Sequence, residues 1–239
     1  MNIAIDSGNT TIKAGFFEGA LLKEKFVFSS ADELSSLLKK TSIENLIVSS
    51  VTESIESAIE SLHVNGKKII LTPKLFLPIR NLYDTPATLG VDRIAAACGA
   101  WLLYPDQASL VIDMGTCINY EFVNEKGEYL GGAISPGVRM RFASMHQFTA
   151  KLPTAEPGDV PSLIGKSTLG CLQSGVMNGI FEEIKGVINR YQHEHPLIKV
   201  ILCGGDAHFF EKHLNPSIFV APELVLVGLN SILLNNVKS

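Results

Sequence analysis

Long apolar runs are what this chain most lacks. No stretch reaches the roughly 20 consecutive apolar residues that a membrane-spanning helix needs. The nearest, Leu224 to Leu234, is short and is interrupted by Gly228 and Asn230. A basic n-region is missing too: Met1-Asn2 runs straight into an apolar strand, so no signal peptide is expected. A strong charge of either sign is also absent. The net charge of -4 gives no electrostatic case for nucleic acid or for an anionic membrane surface. Cysteine pairs are missing as well. Cys98, Cys117, Cys171 and Cys203 are scattered through apolar or glycine-rich settings with no CxxC spacing, so buried thiols are expected rather than disulfides or zinc ligands. With 46% hydrophobic residues the chain is not disordered, and 239 residues suffice for one large or two small domains. A cytoplasmic globular protein is expected.

What is present is a phrase used twice. Ile5-Asp6-Ser7-Gly8-Asn9-Thr10 follows the apolar Ile3-Ala4, and Ile112-Asp113-Met114-Gly115-Thr116 follows Leu110-Val111. Each time an apolar strand ends on an aspartate, a glycine stands two residues later, and a hydroxyl residue follows. The sequel matches as well: a second apolar stretch (Ile12 to Phe17, and Ile118 to Val123), a glycine turn, and another strand-like run. Glycine lets backbone N–H groups approach a phosphate, and successive N–H groups in a tight turn form an anion-binding nest. The aspartate is a hard oxygen ligand suited to Mg²⁺ or its waters. Asn9, Thr10, Thr11 and Thr116 add neutral donors. One copy alone would read more readily as an ordinary hairpin turn. Two copies in matching context indicate a duplicated nucleotide-handling unit.

Between and after these phrases the patterning is that of an α/β chain. Ser30-Ala31-Asp32-Glu33 has capping-box spacing and opens a helix through Lys40. Leu46-Ile47-Val48 predicts a strand, Thr52 caps a helix carrying Ile55, Ile59 and Leu62, and Ile69-Ile70-Leu71 predicts a strand stopped by Pro73. Residues 74–89 read as loop, followed by a helix from Val91 to Leu103. The second half begins near Ala108. It adds the loop Gly131 to Gly137, a helix to about Phe148, an irregular stretch with Pro153, Pro157 and Pro161, and a long helix from Thr168 to His195. A strand at 200–202 leads into Cys203-Gly204-Gly205-Asp206, and an apolar helix from 223 to 235 should be largely buried. Two α/β lobes with a cleft between them suit this order.

Other residues carry chemistry less plainly. Asp92 and Arg93 fall at a loop-to-helix junction, where free N–H groups and the helix dipole favour anions. Asp92 there is either a dipole-favoured carboxylate with Arg93 as its surface partner, or a general base beside an arginine that grips a carboxylate. Gly165-Lys166-Ser167-Thr168 imitates the end of a P-loop, but Val160 stands where that motif needs glycine. Gly204-Gly205 after a strand would let an adenine or ribose lie against backbone, although glycine pairs also cap helices. His193-Glu194-His195 reads as a solvated helix end, Trp101 as core, and His146 is left without a role.

Taken in order, Asp6-Ser7-Gly8-Asn9-Thr10, Tyr83, Gly90-Val91-Asp92-Arg93, Asp113-Met114-Gly115-Thr116, Gly131-Gly132 through Pro136-Gly137, Lys151-Leu152-Pro153, Gly165 through Thr168, and Gly204-Gly205 resemble the type III pantothenate kinases. These belong to the acetate and sugar kinase/Hsp70/actin superfamily. The resemblance implies an actin-like (ribonuclease H-like) duplicated α/β fold with a nucleotide cleft, with lobes at 1–107 and 108–239. It implies ATP-dependent phosphorylation of pantothenate to 4′-phosphopantothenate, the entry to coenzyme A. Carried over by position, Asp6, Ser7, Gly8, Asn9, Thr10, Thr11, Ile12 and Lys13 would form the first phosphate loop, Thr116 would touch ATP, and Gly204 and Gly205 would face adenosine. Asp92 would accept the proton. Tyr83, Gly90, Val91, Asp92, Arg93 and Thr168 would hold pantothenate, with Thr168 coming from the partner subunit of a homodimer. Asp113 would bind K⁺ or NH₄⁺, and Asp6 would serve Mg²⁺ through water. The chain departs from the family pattern after Thr116, with Cys117, Ile118 and Asn119, and with Glu121 in place of the usual aspartate. Two alternatives are another actin-fold small-molecule kinase and a non-catalytic nucleotide-binding accessory protein.

Overall fold

A computed structural model of the chain describes residues 1–8, 11–50, 55, 59–60, 62–214 and 218–237. The strands are β1 (Asn2–Ser7), β2 (Ile12–Glu18), β3 (Leu21–Phe28), β4 (Asn45–Ser50), β5 (Lys68–Ile70), β6 (Arg80–Asn81), β7 (Ser109–Met114), β8 (Cys117–Val123), β9 (Glu128–Pro136), β10 (Lys199–Cys203) and β11 (Phe219–Val220). The helices are α1 (Ala31–Leu38), α2 (Val91–Leu103), α3 (Val138–Gln147), α4 (Thr168–Glu194), α5 (Ala207–Glu211) and α6 (Leu224–Val237).

The strands form two sheets of one plan. The first has the order β3-β2-β1-β4-β5, and the second runs β9-β8-β7-β10-β11 with β6 added beyond β9. The repeated phrase is thus a repeated structure. β1 and β7 share one burial sequence, four buried residues followed by a half-buried aspartate and a buried last residue. By contact the chain divides into two compact units: residues 1–109, 121–131 and 223–239, and residues 110–120 and 132–222.

In the first unit β1 is antiparallel to β2, with Ser7 opposite Ile12, and parallel to β4. Side chains on a strand alternate between faces. Ile3 and Ile5 therefore join one core with Leu34 and Leu38 of α1, while Ala4 joins another with Ile94, Ala95, Leu226 and Leu229 from α2 and α6. Burial on both faces is why these strands read as continuous apolar runs. The N-terminus of α1 is capped as its sequence predicts. Ser30 Oγ accepts the Glu33 N–H at 3.3 Å, while the Glu33 carboxylate takes the N–H of Ser29 at 2.9 Å, one residue earlier than a strict capping box. Helices α2 and α6 meet backbone to backbone, since a Cβ on Gly228 would lie 1.8 Å from the Ala95 carbonyl oxygen. Helix α6, expected to be largely buried, has eight buried residues. In the second unit α4 buries a stripe at helical spacing, Leu172, Val176, Ile180 and Ile184.

Some local expectations needed correction. The stretch 74–89 is not all loop: Arg80 and Asn81 pair in parallel with Glu128 and Tyr129. The short α5 and β11 carry too few residues to show a period. Among the described residues the cysteines form no disulfide, but only Cys98 and Cys203 are buried, while Cys117 is half-buried and Cys171 exposed. Cys171 sits one residue off the stripe that begins at Leu172, so the helix turns it to solvent. Trp101 packs partly buried against the α2–α6 core. The helix expected at 52–62 lies largely outside the described residues, of which Ile55, Ile59 and Leu62 are buried. Among the described residues no helix is long and apolar enough to cross a membrane.

Candidate active site

The first hairpin carries the first set of predicted residues. Asp6 stands directly opposite Lys13 in the β1–β2 ladder, both half-buried. Opposed residues of a ladder share a face, so carboxylate and ammonium border the same space. The turn is closed by the Gly8 N–H donating to the Thr11 carbonyl at 3.2 Å. Ser7 is buried opposite Ile12, and Thr11 is exposed. Asn9 and Thr10 lie outside the described residues.

The second turn is a meeting point of three segments. The Gly115 N–H donates to the Cys117 carbonyl at 2.9 Å, the Gly137 N–H to the Thr116 carbonyl at 3.0 Å, and the Asp206 N–H to the Met114 carbonyl at 3.0 Å. Asp113, Thr116, Gly204 and Gly205 are therefore brought together. Gly204 has φ +88, and a Cβ there would lie 2.4 Å from the Met114 carbonyl and 2.5 Å from Asp113 Oδ1. The donors at this spot are oxygens, one carboxylate and backbone carbonyls. These oxygens suit a hard cation. Among the described residues no group of three or more His, Cys, Asp or Glu is placed to hold a metal.

Helix α2 carries the third set. Gly90 precedes it, Val91 opens it, and Asp92 is half-buried in its first turn. The Arg93 backbone N–H donates to Asp92 Oδ1 at 2.9 Å, which fixes the carboxylate. The Arg93 side chain is buried, at 8% exposure, and its fork is engaged by Glu121. Nε donates to Oε1 at 2.6 Å and Nη2 to Oε2 at 2.9 Å. Glu121 is fully buried and also accepts the Tyr129 hydroxyl at 2.5 Å. The Tyr83 ring lies 5.7 Å from the guanidinium carbon and stacks on Tyr129 at 6.2 Å. Burial alone would lower the Arg93 pKa, but the hydrogen bonds and charge of Glu121 outweigh it and raise it. Burial pushes the Glu121 carboxyl up, and Arg93 and Tyr129 hold it back only in part. Tyr83, Gly90, Val91, Asp92 and Arg93 thus form one cluster, with Arg93 bound from behind rather than standing at the surface.

The sequence reading missed Glu121 and Tyr129 as members of this cluster. The available signal was a charged residue inside the apolar run Ile118 to Val123. It also missed a cavity of about 520 Å³ next to the glycine pair, walled by Val138, Arg139, Met177, Asp206, Phe209 and Phe210. Burial raises the Asp206 carboxyl there, opposed by Arg139. The loop before α3 is anchored by Arg141. Its Nε donates to the Pro136 carbonyl at 2.8 Å, and its Nη2 to Ser135 Oγ at 2.7 Å and to Glu183 at 2.5 Å, while the Tyr120 hydroxyl also donates to Glu183 at 2.9 Å. Gly165 to Thr168 has no phosphate-loop geometry: Ser167 caps α4 by accepting the Gly170 N–H at 3.1 Å. Thr168 is exposed in the first turn of α4. His146 Nδ1 lies 2.8 Å from the Leu152 carbonyl oxygen.

Two copies of one sheet order, each opening on a strand that ends in aspartate and a glycine turn, define the actin-like class of nucleotide-handling folds. Solved structures agree on the fold. One, from Campylobacter jejuni and described as a conserved Baf family transcriptional activator, superposes with a TM-score of 0.65 at 19% identity, covering 99% of this chain and 100% of that one. Component A of (R)-2-hydroxyglutaryl-CoA dehydratase from Acidaminococcus fermentans gives 0.53 at 15% identity, covering 99% and 97%. Within that class, the chain belongs to the type III pantothenate kinase family. The profile of that family matches residues 2–190. The type III pantothenate kinase of Cytophaga hutchinsonii is 44% identical over 238 residues, 99% of this chain and 100% of the relative.

Proposed function

We propose that this chain transfers the γ-phosphoryl group of ATP to the hydroxyl of pantothenate, giving 4′-phosphopantothenate and ADP for coenzyme A synthesis. The observation that carries the reading is Asp92. It is a carboxylate in the first turn of α2, fixed by a backbone N–H at 2.9 Å and next in sequence to the arginine of a buried ion pair. The substrate hydroxyl oxygen attacks the γ-phosphorus, the bond to the β-phosphate oxygen breaks, and Asp92 takes the hydroxyl proton. Phosphoryl transfer passes through a loose transition state, so positioning and charge neutralisation outweigh the base.

The remaining roles belong to the same reading. Asp6 to Lys13 form the first phosphate loop, with Lys13 beside Asp6 in the ladder. Thr116 meets ATP in the second. Adenosine lies along Gly204 and Gly205 and into the adjoining cavity, whose volume falls in the range of ligand pockets. When bound, Mg²⁺ near Asp6, held through water, and K⁺ or NH₄⁺ at Asp113 offset the triphosphate charge. The carboxylate with backbone carbonyls around Gly204 supports the monovalent site. Tyr83, Gly90, Val91 and Arg93 hold pantothenate, joined by Thr168 of a second copy in a homodimer. Leu163, Ile164 and Leu169 flank Thr168 and are exposed at 82%, 74% and 45%, an apolar surface that a second copy would cover. Lobes of residues 1–107 and 108–239, one for each copy of the repeat, and a cytoplasmic location belong to the same reading.

The test is Asp92→Asn. It removes most ADP release while pantothenate binding, followed by calorimetry, stays within about threefold, because the asparagine keeps the shape and loses the base. Normal turnover in this variant would take Asp92 out of the mechanism.

A further inference from the structure

Arginine has five N–H donors in a planar fork. Glu121 occupies the edge formed by Nε and Nη2 of Arg93, at 2.6 and 2.9 Å. The opposite edge, with Nη1 and the second N–H of Nη2, faces away from Glu121 by the geometry of the group. Three further contacts fix the plane of the fork: the Tyr129 hydroxyl on Glu121 at 2.5 Å, the Tyr83 ring 5.7 Å from the guanidinium carbon, and Tyr83 stacked on Tyr129. Nothing in the mechanism above uses Glu121 or Tyr129, yet Glu121 is a fully buried carboxylate. A buried charge of this kind persists where its partners hold it in one arrangement.

We propose that Glu121, steadied by Tyr129, is a positioning residue that aims the outer edge of Arg93 at the substrate carboxylate. The inference rests on the reading of this site as a pantothenate site. Its electrostatic rival has the opposite sign. If Glu121 only neutralised Arg93, removing its charge would strengthen the attraction for an anionic substrate. If Glu121 aims Arg93, removing it frees the fork and weakens the grip.

The experiment measures ADP release with pantothenate, and with a neutral pantothenate amide, in the unaltered protein and in Glu121→Gln, Glu121→Asp and Tyr129→Phe. Glu121→Gln is expected to raise the KM for pantothenate about 10-fold, the scale of one charge-assisted hydrogen bond lost to misalignment. The KM for the amide and for ATP stays within about twofold, so the preference for acid over amide collapses. Glu121→Asp keeps the charge but shortens its reach, and lies between the two. Tyr129→Phe leaves the ion pair in place and is the variant to use if Glu121→Gln does not fold. It raises the pantothenate KM about threefold with the same selectivity. Tighter pantothenate binding in Glu121→Gln overturns the inference in favour of neutralisation. A parallel change for acid and amide, or no change in either variant, overturns it in favour of a purely structural pair. If the unaltered protein releases no ADP with pantothenate, the functional reading itself fails, and that outcome is distinct from the other two.

Discussion

Replacing Gly204 by alanine separates a glycine that its backbone conformation and close neighbours require from one that folding alone does not require. Two penalties add. A residue with a Cβ held at φ +88 costs about 1–2 kcal/mol relative to glycine. The Cβ also lands 2.4 Å from the Met114 carbonyl and 2.5 Å from Asp113 Oδ1. Relief requires the end of β7 to move, and overpacking of this kind costs about 1–3 kcal/mol. The total is about 2–5 kcal/mol, and at about 2–4 °C per kcal/mol for a chain of this length Tm falls by about 4–20 °C. The next residue is the control. A Cβ on Gly205 meets nothing within 4 Å, so Gly205→Ala should melt within about 2 °C of the unaltered protein. Thermal unfolding by circular dichroism reads both variants. Because the displaced atoms are those of Asp113 and Met114, the folded Gly204→Ala protein should also need more K⁺ for half-maximal activity. Equal melting temperatures for the two variants would refute the crowding around Asp113 from which these magnitudes come.

Two further predictions concern stability. Lys68 Nζ donates to the carbonyls of Ile59, Glu60 and Leu62 at 2.9, 2.9 and 3.0 Å, so Lys68→Met should cost about 1–2 kcal/mol in urea unfolding, and an unchanged midpoint would contradict it. Burial alone would raise the Glu183 carboxyl, but the hydrogen bonds from Arg141, Ser135 and Tyr120 outweigh it and hold the group below its usual 4.5. As pH falls the unfolded chain takes up this proton first. The stabilisation is therefore complete above the unfolded value and is lost as pH falls through the lower folded one. The stability difference between the unaltered protein and Glu183→Gln should be level from about pH 5 to 8 and shrink below about 4.5. A difference that grows on acidification would reverse the sign of the argument.

How far the sequence spoke depended on the range of the interaction. The two Asp-turn phrases were legible because each is local: an apolar strand, an aspartate and a glycine within a few residues, and the repeat made them mutually informative. The same holds for the Ser30 cap and for Asp92 at the start of α2. The Arg93–Glu121 pair was not legible. It joins positions 28 apart through β8, and no local pattern distinguishes a buried arginine with a partner from a solvated one. The parallel pairing of β6 with β9 was hidden for the same reason, since two residues in a proline-punctuated stretch show no period. Cys171 was misread because composition around a thiol says less than its place relative to the helix stripe.

The most direct test of the account is ADP release from ATP and Mg²⁺, with and without pantothenate, in potassium and then in sodium buffer. Turnover should require pantothenate and collapse in sodium, with 4′-phosphopantothenate as the product by mass. Turnover with another hydroxyl acceptor but not pantothenate, or no turnover in either buffer, would contradict it.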